Sequence, residues 1–311
     1  MTIHIVSLSG GKDSVAVDLH LRELGIERRR VFMDTGWEAR EHYDHIEYLK
    51  EVLGPIEVIR ADIDVSGLDA QTMSDVEAIE SVIGVDVSPM VRRCARHAML
   101  PTGKARWCTG DLKLKPFQNY AESIDDDIIN AIGIRHEEGN GRNGRGSAVE
   151  REDHPTMGHV EVWRPILTWS MQDVVDIHTR HGVKPSPLYL KGSQRVGCFP
   201  CIYANKSDIR ILGLDADRMQ ALRMLETLVA RLQHEKRQET RPVSWFQARI
   251  PERERQPDGS VVARYPCWPI DRVVEWSRTV RGGRQPGLGG GSWGERPGCF
   301  SWGLCDAGVK P

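Results

Sequence analysis

Apolar residues recur along this chain in two alternating rhythms. Ile3–Leu8 is a short apolar run that breaks at Ser9-Gly10-Gly11, which predicts a buried strand. Val15–Leu24 follows with helical spacing. Arg30–Met33 reads as a second strand, ending in Asp34-Thr35-Gly36. A helix carrying Tyr43, Ile46, Leu49 and Val52 on one face comes next, then a third strand at Ile56–Arg60. Residues 72–83 read as a helix, Ile128–Ile134 and Val160–Arg164 as strands. Met171–His181 reads as a helix capped by Ser170, with Asp173 in its first turn. Strands alternating with helices predict an α/β fold with a doubly wound, mainly parallel sheet. Ligands of such sheets lie at the carboxyl ends of the strands, so Ser9–Ser14 and Asp34–Gly36 should face one cleft.

The rhythm lapses in three places. Residues 90–118 read as irregular, basic and cysteine-bearing, and residues 138–159 as a glycine-rich mobile loop, a lid over the cleft. Beyond Ser207 the character changes. Residues 215–238 form a long amphipathic helix with Met219, Leu222, Leu225, Leu228 and Leu232 on one stripe, a stripe suited to core packing. The tail, 282–311, is rich in Gly, Trp and Cys. The expected organisation is a nucleotide-handling domain over 1–205, then a helical C-terminal region over 206–311 whose tail returns to the cysteine site.

The composition of the 311 residues, 40% hydrophobic and 28% charged with net charge −2, is that of an ordinary soluble protein with no global pull toward nucleic acid. Charge is uneven, however. Arg92, Arg93, Arg96, His97, Lys104, Arg106, Lys113 and Lys115 share a stretch whose single acid is Asp111. Such a run is either a solvated face or an anion-binding wall, open to a DNA or RNA backbone or to a nucleotide phosphate. No apolar run reaches transmembrane length, and Met1 leads straight into the first strand without a signal peptide, so a cytoplasmic protein with no membrane partner is expected. Seven cysteines in a reducing compartment argue for metal or catalytic sulfur over disulfides.

The loop after the first strand carries the most chemistry. A strand, a Gly-Gly turn and a helix place free N–H groups and the positive end of a helix dipole at one spot, a phosphate site. Gly10 and Gly11 let the backbone approach the anion, Ser9 and Ser14 add hydroxyls, and Lys12 adds charge unless it only points to solvent. The order Ser-Gly-Gly-Lys-Asp-Ser differs from the Gly-x-x-x-x-Gly-Lys-Ser/Thr pattern of common nucleotide triphosphatases.

Cys198-Phe199-Pro200-Cys201 is a tight pair that alone could serve zinc, redox chemistry or an iron–sulfur site. Cys108 stands alone in the basic stretch, and Cys299 and Cys305 bracket a tail segment. One tight pair meeting scattered single cysteines suits a cluster held between chain segments better than a structural zinc. Cys267 reads as a small buried hydrophobe.

These blocks resemble the phosphoadenosine phosphosulfate (PAPS) reductase family of the PP-loop ATP pyrophosphatase superfamily, with its HUP-like fold. The resemblance rests on Ser9–Ser14, Phe32–Glu38, Trp107-Cys108-Thr109 with Lys113 and Pro116, and Gly133-Ile134-Arg135. Pro165–Trp169, Pro187-Leu188-Tyr189 and Arg195–Cys201 complete it, and together these cover most of residues 1–205. It implies a nucleotide held by Ser9, Gly10, Gly11, Lys12, Asp13, Ser14, Asp34, Thr35 and Gly133. Mg²⁺ would bridge the phosphates, with Asp13 as its orienter. Arg135 and Arg195 would stabilise charge at the α-phosphate, or else serve as structural ion pairs.

The intact loop implies ATP cleaved between the α and β phosphates. That is the manner of the DndC- and SspD-type sulfur-transfer members, with a cysteine desulfurase as sulfur donor and DNA, RNA or a nucleotide as acceptor within a modification complex. The resemblance further implies a [4Fe–4S] cluster, with zinc as the alternative, on Cys108, Cys198, Cys201 and Cys305. Members with adjacent cysteines before the Lys–Pro segment have one more ligand there, where this chain has Trp107-Cys108; Cys305, or Cys299 or Cys94, would then be the fourth. The competing readings are a sulfonucleotide reductase using a C-terminal cysteine and a non-catalytic nucleotide-binding subunit.

Overall fold

The computed structural model describes residues 1–136, 149–238, 242–246, 252–264 and 267–279. Its centre is a six-stranded sheet in the order β3-β2-β1-β4-β6-β5. The strands are β1 (Thr2–Ser7), β2 (Arg29–Asp34), β3 (Glu57–Arg60), β4 (Asp127–Ala131), β5 (Arg151–Asp153) and β6 (Val160–Trp163). Every pair is parallel except β5 with β6. The helices are α1 (Lys12–Glu23), α2 (Arg40–Leu53), α3 (Ala70–Ile83), α4 (Pro89–His97), α5 (Trp107–Thr109), α6 (Lys115–Glu122), α7 (Met171–Arg180), α8 (Pro187–Leu190), α9 (Lys206–Leu212), α10 (Ala216–Arg237) and α11 (Ile270–Ser277). A small antiparallel ribbon, β7 (Glu252–Arg255) with β8 (Val261–Arg264), completes the described elements.

The doubly wound expectation is met. The chain leaves β1 in one direction to β2 and β3, then returns to the other side of β1 for β4 and β6. The switch therefore falls between β1 and β4, the place at the strands' carboxyl ends where sheets of this kind bind ligands. Both loops that leave this point, 8–11 after β1 and 132–135 after β4, carry predicted site residues.

Several local expectations are corrected. The first helix begins at Lys12 rather than Val15, because Gly11 adopts the extended N-cap conformation and its carbonyl accepts the Val15 N–H at 3.1 Å. Lys12, Asp13 and Ser14 are thus first-turn helical residues. The stretch 90–118, expected to be irregular, is largely helical. Ser88 caps α4 by accepting the Val91 N–H, and Pro89 holds the first helical position. Met90, Val91, Cys94 and Ala95 turn inward, so the basic residues mask an amphipathic helix. Gly110–Leu114 forms a π-helical turn that joins α5 to α6. Within the expected lid, residues 137–148 lie outside the described residues, while Arg151–Asp153 pairs onto β6 as an edge strand.

Apolar packing forms three groups. One unites β1, α1, α2 and α7 through residues such as Leu8, Leu19, Leu49 and Ile177. A smaller one lies around Ile5, Val31, Phe117 and Ile128. The third joins Trp37, Val76, Ile79, Met90 and Trp107 to Leu222, Leu225, Leu228, Trp245 and Val273. The predicted leucine stripe of α10 is therefore core, shared across residue 205. Among the described residues no helix is long and apolar enough to cross a membrane.

Candidate functional site

The loop after β1 folds tightly upon itself. Ser14 Oγ donates to the Gly11 carbonyl at 2.9 Å and accepts the Ser9 N–H at 3.1 Å. Because that proton is committed, Ser9 Oγ donates to Ser14 Oγ across their 3.1 Å contact. Gly10 has φ +70°, and a Cβ there would fall 2.7 Å from His42 Cε1 and 2.8 Å from Ile46 Cδ1. Glycine at this position meets both a left-handed turn and a close approach to α2. Gly133, also predicted to bind nucleotide, packs directly against the helical end of the loop. A Cβ there would lie 2.7 Å from Asp13 C and Ser14 N. Its part is to let the β4 exit lie flat against the first turn of α1.

The loop's charged side chains pair with one another. Lys12 Nζ reaches Asp13 Oδ2 at 2.8 Å, and Arg135 Nε reaches Asp13 Oδ1 at 2.6 Å. Burial alone would raise the Asp13 pKa, but the two cations outweigh it and hold the carboxyl below its ordinary range. Arg135 is buried, and Nη2 also contacts Met171 Sδ at 3.9 Å. Arg195 sits on an exposed turn and has no ion-pair partner among the described residues. Two supports come from distant sequence. His178 on α7 touches the Lys12 carbonyl through Nε2 at 2.9 Å, and the Tyr189 hydroxyl on α8 accepts the Lys12 N–H at 3.2 Å.

The second predicted block, Asp34–Gly36, faces inward. Asp34 Oδ1 accepts from Gly36 N at 2.8 Å and Tyr43 OH at 2.9 Å, and Oδ2 accepts from Arg60 at 2.6 Å. Asp34 is 1% exposed, so it fastens the turn at the end of β2. Thr35 turns toward the cysteines. Its hydroxyl donates to Glu38 Oε1 at 2.8 Å and lies 3.5 Å from Cys198 Sγ. Glu38 is buried, and burial first, then the charge of Asp34, raises its pKa. Residues 37–38 pair with residues 198–199 as a short antiparallel bridge, in which Phe199 N–H donates to the Trp37 carbonyl at 2.8 Å. The segment after β2 and the cysteine pair are thus joined through backbone.

Three of the four predicted ligand cysteines gather near one cation. The Lys113 ammonium has a raised pKa, first through Cys198 and then through Glu38, Cys201 and Cys108. Burial pushes the Cys198 thiol up to about 12, against the opposing pull of Lys113. Burial raises Cys108 as well, with Cys201 adding to it. Cys201 Sγ accepts the Tyr203 N–H at 3.5 Å. Among the described residues no three His, Cys, Asp or Glu side chains stand as a metal-holding group. Cys305 and Cys299 lie outside the described residues. Cys94 is fully buried in the core face of α4.

The basic stretch is partly neutralised from within. Arg92 pairs with Glu80 and Arg93 with Asp111, while the Arg106 guanidinium lies 5.3 Å from the Tyr203 ring centre. Lys104, Arg106 and Lys115 remain exposed. Glu38, Tyr43, Arg60, His178 and Tyr189 join the predicted residues at this site through contacts that sequence spacing does not reveal. Glu38 and Tyr189 stand inside recognisable motifs, but their partners lie 160 and 177 positions away.

A self-bonded Ser-Gly-Gly-Lys-Asp-Ser loop at a parallel-sheet switch point, with the segment after β2 bridged to a cysteine pair, defines an α/β domain of the PAPS reductase type. Residues 3–204 match the phosphoadenosine phosphosulfate reductase domain, and the chain belongs to that family. An uncharacterised 37.8 kDa protein of Escherichia phage 186 is 33% identical over 238 residues, covering 67% of this chain and 69% of the relative. An uncharacterised protein of Methanocaldococcus jannaschii is 29% identical over 200 residues, which is 63% of this chain but 35% of that relative. Among solved structures, phosphoadenylyl-sulfate reductase from Candida auris, a phosphate complex, superposes with TM-score 0.41 at 14% identity, covering 64% of this chain and 82% of that one. FMN adenylyltransferase of Candida glabrata gives TM-score 0.37 at 12% identity, covering 63% and 52%.

Proposed function

We propose that this protein is an ATP pyrophosphatase that adenylates a substrate, releasing pyrophosphate, and so prepares it for sulfur transfer onto a nucleic acid or nucleotide. The observation that carries the reading is the complete Ser9-Gly10-Gly11-Lys12-Asp13-Ser14 loop wrapped around the amino end of α1, with Lys12 and Arg135 beside it. Helix-end N–H groups and two cations suit a departing pyrophosphate. A substrate nucleophile forms a bond to the α-phosphorus as the bond to the bridging oxygen breaks, and that electron pair leaves with pyrophosphate. Lys12 and the loop amides receive the leaving charge. Arg135, fixed by Asp13, is assigned to the same charge, and Arg195, exposed and with no ion-pair partner among the described residues, to the α-phosphate. Asp13 is the ionised oxygen donor through which the loop would hold a Mg²⁺ ion, which would supply positive charge to the phosphates.

The thiols of Cys108, Cys198 and Cys201, with Cys305, are assigned to sulfur handling on a [4Fe–4S] cluster, or on zinc in its place. Their convergence near Lys113 supports this, and thiolates are the donors either group would use. A cysteine desulfurase would supply the sulfur. The exposed Lys104 and Arg106 suit a phosphate-bearing acceptor.

The test is incubation of the protein with ATP and candidate acceptors, with AMP and pyrophosphate measured. AMP formation that Asp13→Asn abolishes supports the reading; no AMP, or unchanged formation in the variant, overturns it. Metal analysis after anaerobic purification addresses the thiols: iron and sulfide support the cluster, and zinc alone replaces it. Family membership favours a second reading, sulfonucleotide reduction. Thioredoxin-dependent sulfite release from PAPS, lost in Cys305→Ser, would establish that one instead.

A further inference from the structure

The Tyr189 hydroxyl meets the first turn of α1 at the end of the loop. Lys12 N–H is the first amide of α1 and has no acceptor within the helix. It points to the Tyr189 hydroxyl at 3.2 Å. A Cβ built on Gly11 would lie 3.4 Å from the same oxygen, so the hydroxyl hangs over the Gly11–Lys12 peptide on the side the glycine leaves open. The Lys12 ammonium folds in beneath, 5.5 Å from the Tyr189 ring centre and 2.8 Å from Asp13 Oδ2.

The tyrosine is delivered from a firm base. Tyr189 is 5% exposed and its neighbour Leu188 is 2% exposed. Tyr189 N–H donates to the Ser186 carbonyl, and Ser193 N–H to the Leu188 carbonyl, both at 3.0 Å. Ser186 caps the turn by accepting the Leu188 N–H.

We propose that the Tyr189 hydroxyl is a resident stand-in for a phosphate oxygen, which an incoming phosphate group must displace from the Lys12 amide. The inference rests on the phosphate-binding role given to the loop above. A phenol oxygen is a neutral acceptor, whereas a phosphate oxygen makes a charge-assisted bond of roughly twice the strength. Phosphate therefore wins the amide, but its apparent affinity is lowered by the contact it replaces. The device also favours ligands with enough negative charge to complete the exchange, such as a di- or triphosphate, over weak neutral acceptors.

The probe is inorganic pyrophosphate, titrated calorimetrically into the full chain and into Tyr189→Phe, which keeps the ring and its packing. Removing the hydroxyl frees the amide, so the variant should bind about 3- to 10-fold more tightly, the net worth of one hydrogen bond. Wild type should also give a tyrosine ultraviolet difference spectrum on adding pyrophosphate, and the variant should lack it. Equal or weaker binding by Tyr189→Phe, or a wild-type protein that binds with no tyrosine signal, overturns the displacement while leaving the loop a phosphate site. Failure of both proteins to bind pyrophosphate overturns the displacement and the phosphate role together.

Discussion

Gly133 and Gly10 show how little space the loop leaves for change. In Gly133→Ala the new methyl would meet the backbone of Asp13 and Ser14, which cannot swing aside as a side chain can. We expect a loss of about 1–3 kcal/mol in stability and a marked weakening of pyrophosphate binding, read by denaturant unfolding and calorimetry. Beneath the loop, burial pushes His42 down to about 3 and His45 to about 4. Both stay neutral in the folded chain and gain protons on unfolding once the pH is below the ordinary histidine value of 6.5. Their contribution is complete above that value and is lost as pH falls toward the folded values. Each can cost up to about 1.4 kcal/mol per pH unit over that window. Comparing urea midpoints at about pH 7 and about pH 5 should show a drop that His42→Gln makes shallower. An equal drop in both proteins would remove His42 from the account.

At the scale of elements, the parallel sheet was legible because its strands are short apolar runs ended by glycine or charge. The start of α1 was not, since Lys12, Asp13 and Ser14 are polar and only the extended Gly11 shows that they are helical. Helix α4 was hidden under its arginines although Ser88-Pro89 is an orthodox start signal. The loop itself was readable from six consecutive residues. Its supports were not, because Tyr189 and His178 reach it only through the tertiary fold. The same limit applies to Glu226, a buried carboxyl on α10. It accepts N–H bonds from Trp245 at 2.8 Å and Ile270 at 3.1 Å, tying two later segments to one helix. Glu226→Ala should cost about 1–3 kcal/mol by leaving those buried amides without acceptors, and limited proteolysis should then cut more readily between residues 238 and 270.

Considered as a whole molecule, the two expected parts share one apolar group across residue 205. Trp37, Ile79 and Met90 from the sheet side pack in one apolar group with Leu222, Leu225 and Val273. A chain ending at 205 should therefore expose these faces, bind a hydrophobic dye and lose a cooperative thermal transition. A sharp transition in that fragment would show that 1–205 stands alone. The bridge between residues 37–38 and 198–199 carries a different consequence, for the order in which the protein is made. Cys108 leaves the ribosome long before Cys198 and Cys201, and the latter two find their place only when Phe199 joins Trp37. A nascent chain thus offers its thiols one or two at a time, whereas in the folded chain all three act electrostatically on Lys113. Any chemistry that needs all three thiols together therefore begins only after residues 198–199 have joined residues 37–38.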